Sequence, residues 1–464
     1  MAWSPETGSL EIAQLEQHFA ARTLTPSRLI EALQGRLAQT RAANVWITLA
    51  DRADLMARAR ALEQAGPAGL PLYGIPYAVK DNIDVAGLPT TAACPDFSYR
   101  PDRSATAVAR LEADGAICLG KTNLDQFATG LSGVRSPYGA CASVFNRDYV
   151  AGGSSSGSAL AVAAGLASFA LGTDTGGSGR IPAGFNNIVG LKPTRGVIGT
   201  GGLVPNCRTL DCVSIFALTA ADAHRALLLT RGADPRDPYS RAEADSADLA
   251  WRAPPARFRF GVPARVQREF CGDRDAEILF EAAIARLAAI GGRPIEIDFA
   301  PFRAVSDLMF EGPWVAERYA ALRSFVDSKS ASMLPVTRAI IESARRWSAA
   351  DLFDALYRLQ ALKRTTQTIW SDIDLMVVPT APTALTMRAL EQEPLRANNL
   401  LGSYAYFVNL LDLAAIAVPN GFLPNRVAMG ITLIAPPLSD GMLAGLAGAY
   451  QARLAIAPGG AAAS

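Results

Sequence analysis

Histidine is nearly missing from this chain: there are two among 464 residues, His18 and His224. His18 lies in a helix-like segment rich in Glu, Gln and Arg, and His224 follows the helix start "TAADAHRALLL". Both read as ordinary helix positions. A Ser-His-Asp relay and most metal sites therefore lack their usual residue, and no metal is expected. An excess of one charge is also lacking, with 44 Lys+Arg against 43 Asp+Glu and a net charge of +1. Without a basic cluster, neither nucleic acid nor an anionic membrane is the expected partner. The six cysteines (Cys94, Cys118, Cys141, Cys207, Cys212 and Cys271) form no CxxC pair. They imply reduced thiols in a cytoplasmic protein and no zinc site. The start "MAWSPETGSLEIAQLEQ" lacks the basic-then-apolar pattern of an export signal.

What the chain does have is apolar material, half of its residues, with 19 % charged. That composition is globular and sufficient for a large core. Residues 9–42 read as two helices, the second opening with Thr25 as N-cap and Pro26 in the first turn. Beyond residue 45, strand-like runs alternate with helical ones: "NVWITLA", helix 52–65, "GIPYAVK", helix 104–114, "AICLG", "FRFGVP", helix 274–290, "RPIEIDF", "DIDLMVVPT", "AAIAVP" and "VAMGITLIAPP". The alternation predicts an α/β fold, a mixed and mostly parallel sheet sandwiched by helices. Residues 232–256, rich in Pro and charge, read as a surface excursion, and 457–464 as a disordered tail.

One stretch stands out, "AGGSSSGSALAVAAGLASFALGTDTGGSGR" at 151–180. A phosphate-binding P-loop needs Gly-Lys-Ser/Thr, and no lysine stands there. A membrane span needs about 20 apolar residues, more than this run supplies before Asp174. What fits is a Gly-Ser turn capping a buried small-residue helix, then a strand "ASFALG", then a second glycine turn. In that turn Gly176 and Gly177 free the backbone to aim successive N–H groups into one concavity, as an oxyanion requires. Ser178 follows them as a candidate nucleophile; a plain helix N-cap is the alternative. With histidine scarce, the candidate base is Lys80, which closes the apolar run "GIPYAVK". Burial there would lower its pKa, whereas a solvated strand-end lysine is the ordinary alternative.

Four ordered motifs, "GIPYAVKDNIDVAG", "GKTNLDQFATG", "GGSSSGSALAVAAG" and "GTDTGGSGRIPAGFNNIVGLKPTRG", together resemble the amidase signature family. The resemblance implies that family's fold and a Ser–cis-Ser–Lys triad, with Ser178 as nucleophile, Ser154 as the cis serine and Lys80 as base. It implies oxyanion-hole amides at Thr175, Gly176, Gly177 and Ser178. Asp174 and Arg180 then support the turn, Ser155 opens the helix with a relay role left open, and Lys121 and Lys192 are structural. It also implies no cofactor. The two serines lie 24 residues apart, the usual family spacing.

A longer set, including "CRTLDCVSIFALT" and "FEGPWVAERYA", resembles the allophanate-hydrolysing branch of this family. In that branch a tyrosine opens the last motif and an arginine ends it, both contacting substrate. Here the arginine is Arg318, with pairing to Glu317 or Glu311 on a surface helix as its plain alternative, and Phe310 replaces the tyrosine. The substitution removes one hydroxyl and opens the question of substrate. The expected activity is hydrolysis of allophanate to ammonia and N-carboxycarbamate, in urea or s-triazine nitrogen catabolism. The alternatives are another amidase for a malonamate-like or carbamoyl substrate, an ammonia-delivering amidotransferase component of the A type, and a non-catalytic interaction module. The expected partner is a small-molecule substrate, and a homodimer stays open. One domain over 1–464 is expected, its core at about 70–215, without the decarboxylation-linked C-terminal domain of longer relatives.

Overall fold

The computed structural model describes residues 3–5, 7–40 and 42–460, apart from the side chain of Phe310. Among them eleven strands form one sheet. They are β1 (Trp46–Leu49), β2 (Pro76–Lys80), β3 (Ile117–Thr122), β4 (Phe169–Asp174), β5 (Val189–Lys192) and β6 (Cys212–Ala217) in the first half of the chain. The second half adds β7 (Phe258–Pro263), β8 (Gly292–Ile297), β9 (Leu375–Pro379), β10 (Ala414–Phe422) and β11 (Ala428–Ala435). Their order in space is β1-β3-β2-β4-β6-β5-β10-β11-β9-β7-β8.

The sheet is α/β and mixed, as expected, but it is not mostly parallel. Four neighbouring pairs are parallel, β2/β3, β2/β4, β7/β8 and β7/β9, and six are antiparallel. The difference lies in the middle. Parallel neighbours need a long crossover, normally a helix, whereas antiparallel ones do not. The link between β5 and β6 contains no helix, and β10 joins β11 through residues 423–427.

Helices cover the sheet, and two of them illustrate how. The N-terminal helix Pro26–Gln39 starts where expected, with the Thr25 hydroxyl accepting the Arg28 N–H at 3.4 Å. Helix Ser156–Ala163, which leads into the site, is buried at all eight residues, as a helix apolar all round requires. Its small side chains allow very close packing: a Cβ on Gly157 would collide with the Val45 carbonyl oxygen. Strand β4, directly after it in the chain, is buried throughout.

The end of the chain departs from expectation. Residues 457–460 are docked, with Gly459 N–H on the Asn187 carbonyl, Gly460 N–H on that of Ala163, and the Asn187 amide on the Ala457 carbonyl. Local composition could not show those distant acceptors; 461–464 lie outside the described residues. The 232–256 excursion is anchored as well, since Asp237 and Asp234 accept the N–H groups of Thr200 and Gly201. Among the described residues no helix is long and apolar enough to cross a membrane.

Candidate active site

The site forms at the C-terminal ends of the parallel neighbours β2 and β4, where open α/β sheets place their ligands. Lys80 is the last residue of β2 and is fully buried. Its Nζ donates to Ser154 Oγ at 2.8 Å and to Thr173 Oγ1 at 2.7 Å. Burial drives the Lys80 pKa down to about 7, against the pull of the Asp125, Asp211 and Asp174 carboxylates. A lysine so placed is a usable base at neutral pH.

Ser154 follows a cis peptide bond from Gly153. Asp125 secures this loop: its N–H donates to the Ser154 carbonyl at 3.1 Å, and its carboxylate accepts the amides of Ser132, Gly133 and Arg135. Ser155 points elsewhere: its hydroxyl donates to the Thr173 carbonyl at 3.0 Å and accepts the Thr173 N–H at 3.3 Å. It ties the helix start to β4, which is a structural duty.

The turn carrying Ser178 leaves β4 at Asp174. Both oxygens of that carboxylate are engaged by Arg180, through Nε and Nη2 at 2.9 Å each. Burial raises the Asp174 pKa, but Arg180, Lys192 and the backbone donors outweigh it and hold it below the ordinary carboxylate value. Asp174 also accepts the N–H groups of Gly177 at 2.8 Å and Gly179 at 3.0 Å. Gly177 therefore differs from its expected place among the oxyanion amides, because its N–H is already committed. Its φ of +126° and the 2.8 Å approach of the Ala405 Cβ still require glycine there. Among the described residues the N–H groups of Thr175, Gly176 and Ser178 carry no such bond.

Ser178, 4 % exposed, lines a cavity of about 270 Å³. No hydrogen bond joins it to Ser154 here, and catalytic contacts commonly tighten only when substrate is bound. Thr175 and Gly176 line the same cavity, as do Arg318, from the first turn of helix Val315–Lys329, Arg135 and Tyr406. Neither expected carboxylate pairs with Arg318. Glu317 instead accepts the Thr209 N–H and hydroxyl at 2.7 and 2.8 Å, and among the described residues Glu311 forms no ion pair. Phe310 ends helix Ala300–Phe310, and its side chain lies outside the described residues. Asp211 supports the turn carrying Ser178 through the Thr175 hydroxyl at 2.5 Å and accepts the N–H groups of Asn206 and Cys207. Burial lifts its pKa to about 6.

Several of these residues escape sequence reading. Arg135 and Tyr406 carry no local signal, since only the fold brings them to the site, and Thr173 and Asp211 stand inside quoted motifs that do not announce their contacts. The remaining motif lysines are occupied elsewhere. Lys121 pairs with Asp81 at 3.3 Å and donates to Thr90, and Lys192 donates to the Pro193 carbonyl. His224 contacts the Leu249 carbonyl and His18 the Thr23 hydroxyl, neither of them at the cavity. Among the described residues no group of three His, Cys, Asp or Glu side chains could hold a metal.

A glycine turn presenting a serine, backed by a buried lysine and a second serine, defines an amide-cleaving class of site. The chain belongs to the Amidase family, whose model matches residues 28–444. It is 43 % identical to urea amidolyase of Saccharomyces cerevisiae over 442 residues, 94 % of this chain but 24 % of that protein. It is 32 % identical to the A component of the glutamyl-tRNA(Gln) amidotransferase of Streptococcus thermophilus, covering 95 % of both. Allophanate hydrolase of Kluyveromyces lactis superposes with a TM-score of 0.90 at 40 % identity, over 96 % of this chain and 73 % of that one. The chain thus spans about a quarter of the curated relatives it matches first.

Proposed function

We propose that the chain hydrolyses a small amide bearing a carboxylate, and that the substrate is allophanate. The observation that carries this reading is the pairing, in one small cavity, of Ser178 beside uncommitted amides with Arg318, a guanidinium that forms no ion pair among the described residues. Two relatives named for allophanate or urea chemistry align over nearly the whole chain, which supports it.

In this reading neutral Lys80 takes the Ser154 proton as Ser154 takes that of Ser178. The Ser178 oxygen attacks the terminal carbamoyl carbon. Negative charge gathers on the former carbonyl oxygen, which the N–H groups of Thr175, Gly176 and Ser178 are placed to stabilise. The proton returns to the leaving nitrogen, ammonia departs, and an acyl-enzyme remains on Ser178. Water enters by the reverse relay and releases N-carboxycarbamate, which loses carbon dioxide in a later step. Arg318 holds the distal carboxylate, a task suited to its planar fork of donors.

The test is ammonia release from allophanate by the purified chain. Turnover that disappears in Ser178→Ala supports the reading, and no release from allophanate, with release from glutamine, would favour the amidotransferase reading. That second reading rests on the end-to-end similarity to the Streptococcus thermophilus protein.

A further inference from the structure

We propose that the carboxylate end of the substrate is held by three groups, Arg318, Arg135 and the hydroxyl of Tyr406, and that Arg135 and Tyr406 determine specificity for an anion. The proposal deepens the reading above and rests on it.

All three residues line the cavity that holds Ser178. Arg135 is 4 % exposed and donates Nη1 to the Thr129 carbonyl at 2.9 Å and Nη2 to the Pro394 carbonyl at 2.6 Å. Both acceptors are neutral. The nearest acid acting on it, Asp125, spends its oxygens on three backbone amides. Among the described residues no carboxylate forms an ion pair with Arg135 or Arg318. The Nε of Arg318 is buried without a hydrogen-bond partner. The two guanidiniums are close enough to repel each other, since Arg318 depresses the Arg135 pKa in addition to burial. A buried guanidinium whose hydrogen bonds go only to neutral carbonyls, beside a half-buried one whose Nε is enclosed without a partner, is costly unless an anion completes the site.

Tyr406 sits where both cations act on it and where it meets the reacting turn. Burial pushes its pKa up to about 12, so the phenol stays protonated, while Arg318 and Arg135 pull it down. Its ring lies against the turn, since a Cβ on Gly176 would be 2.8 Å from its Cδ1. A protonated phenol beside two guanidiniums is a donor for a carboxylate oxygen. It supplies a hydroxyl of the kind that the sequence lacks at position 310.

Malonate tests this, because a CH₂ replaces the NH of N-carboxycarbamate and binding needs no turnover. Titration calorimetry should show Tyr406→Phe, which keeps the ring, weakening malonate by about 10-fold or more, as loss of a charge-assisted bond does. Arg135→Gln should weaken it at least as much, and Arg135→Lys, which keeps the cation, less. The ratio of kcat/KM for malonamate over neutral malonamide should fall by about 10-fold in Tyr406→Phe. Malonate affinity and that ratio staying within about 2-fold of the unaltered chain in Tyr406→Phe would overturn the proposal; equal losses in Arg135→Lys and Arg135→Gln would remove Arg135 from it, leaving only its carbonyl contacts. A chain that binds malonate in this Tyr406-dependent way yet releases no ammonia from allophanate would sink the substrate reading alone. One that hydrolyses allophanate with Tyr406→Phe and Arg135→Gln unaffected would sink the subsite alone.

Discussion

Arginine at position 80 keeps a cation of similar reach but removes the neutral state that the relay needs. The expected effect follows from burial. An ordinary lysine near pKa 10.4 is neutral in about one molecule in a thousand at pH 7.5. With its pKa at about 7, Lys80 is neutral in roughly three-quarters of the molecules at that pH. Desolvation thus raises the supply of base by about 10³-fold, and Lys80→Arg should lose at least that factor in kcat. In the unaltered chain, kcat/KM for ammonia release should climb with pH by about tenfold per unit and level off above about pH 7. The sign follows from the proton: acid protonates Lys80 and removes the base, whereas alkali does not. Three carboxylates face this lysine, Asp125, Asp174 and Asp211. Asp211, at about 6, should steepen the acid limb when it protonates and releases a donor of the oxyanion turn. Asp211→Asn should remove that steepening and move the remaining ionisation to lower pH, because the lost carboxylate charge favours protonated Lys80. The assay is steady-state ammonia release from malonamate between about pH 5 and pH 9.5 at constant ionic strength. A profile flat from about pH 6 to pH 9, or a Lys80→Arg chain with more than about a tenth of normal kcat, would refute the reasoning.

Ser178→Ala should cost at least about 10³-fold in kcat with the melting temperature unchanged to within a few degrees, and Ser154→Ala should cost less, because water can take the place of its hydroxyl. Scanning calorimetry and ammonia release together check both variants. Asp174→Asn breaks a fully buried ion pair with Arg180 and should destabilise the fold by about 3–5 kcal/mol, read by denaturant titration. Because the Asp174 pKa is depressed, its contribution to stability is present above the ordinary carboxylate pKa and is lost as acid titrates it. Arg318→Gln should raise KM for allophanate by the equivalent of about 2–4 kcal/mol and lower the charged-to-neutral substrate ratio in step; equal losses on both substrates would assign the guanidinium a structural task.

The parts of the site that could be read in the sequence are those written in short glycine-bearing motifs. Lys80 ends an apolar strand, and the turns with Ser154 and Ser178 flank one small-residue helix and one strand, so local pattern suffices to pick them out. Arg135 is different. It is a lone arginine in "GVRSPYG", and only the loop fastened by Asp125 turns it into the cavity. Tyr406 arrives from a segment more than 220 residues beyond Ser178 in the chain, so no spacing rule connects the two. The direction of the central strands is hidden for a related reason. β5 is four residues long between glycine-rich turns, and nothing within "NIVGLKPT" says that its neighbour runs antiparallel. The helices over 315–367, the first of which carries Arg318 to the cavity, have no local signal either, since apolar residues such as Leu322 and Ile341 are buried against Phe127 and Val204, far away in the chain.

The central claim is that Ser178 is the nucleophile and that buried Lys80, acting through Ser154, activates it. Peptide mapping by mass spectrometry after treatment with a serine-directed sulfonyl fluoride tests it most directly. The predicted result is a single adduct on the peptide containing Ser178, absent in Ser178→Ala, slowed strongly in Lys80→Arg, and forming in step with the loss of ammonia release. Loss of activity with the adduct on any other residue, or full labelling of Ser178 in the Lys80→Arg chain, would contradict the account.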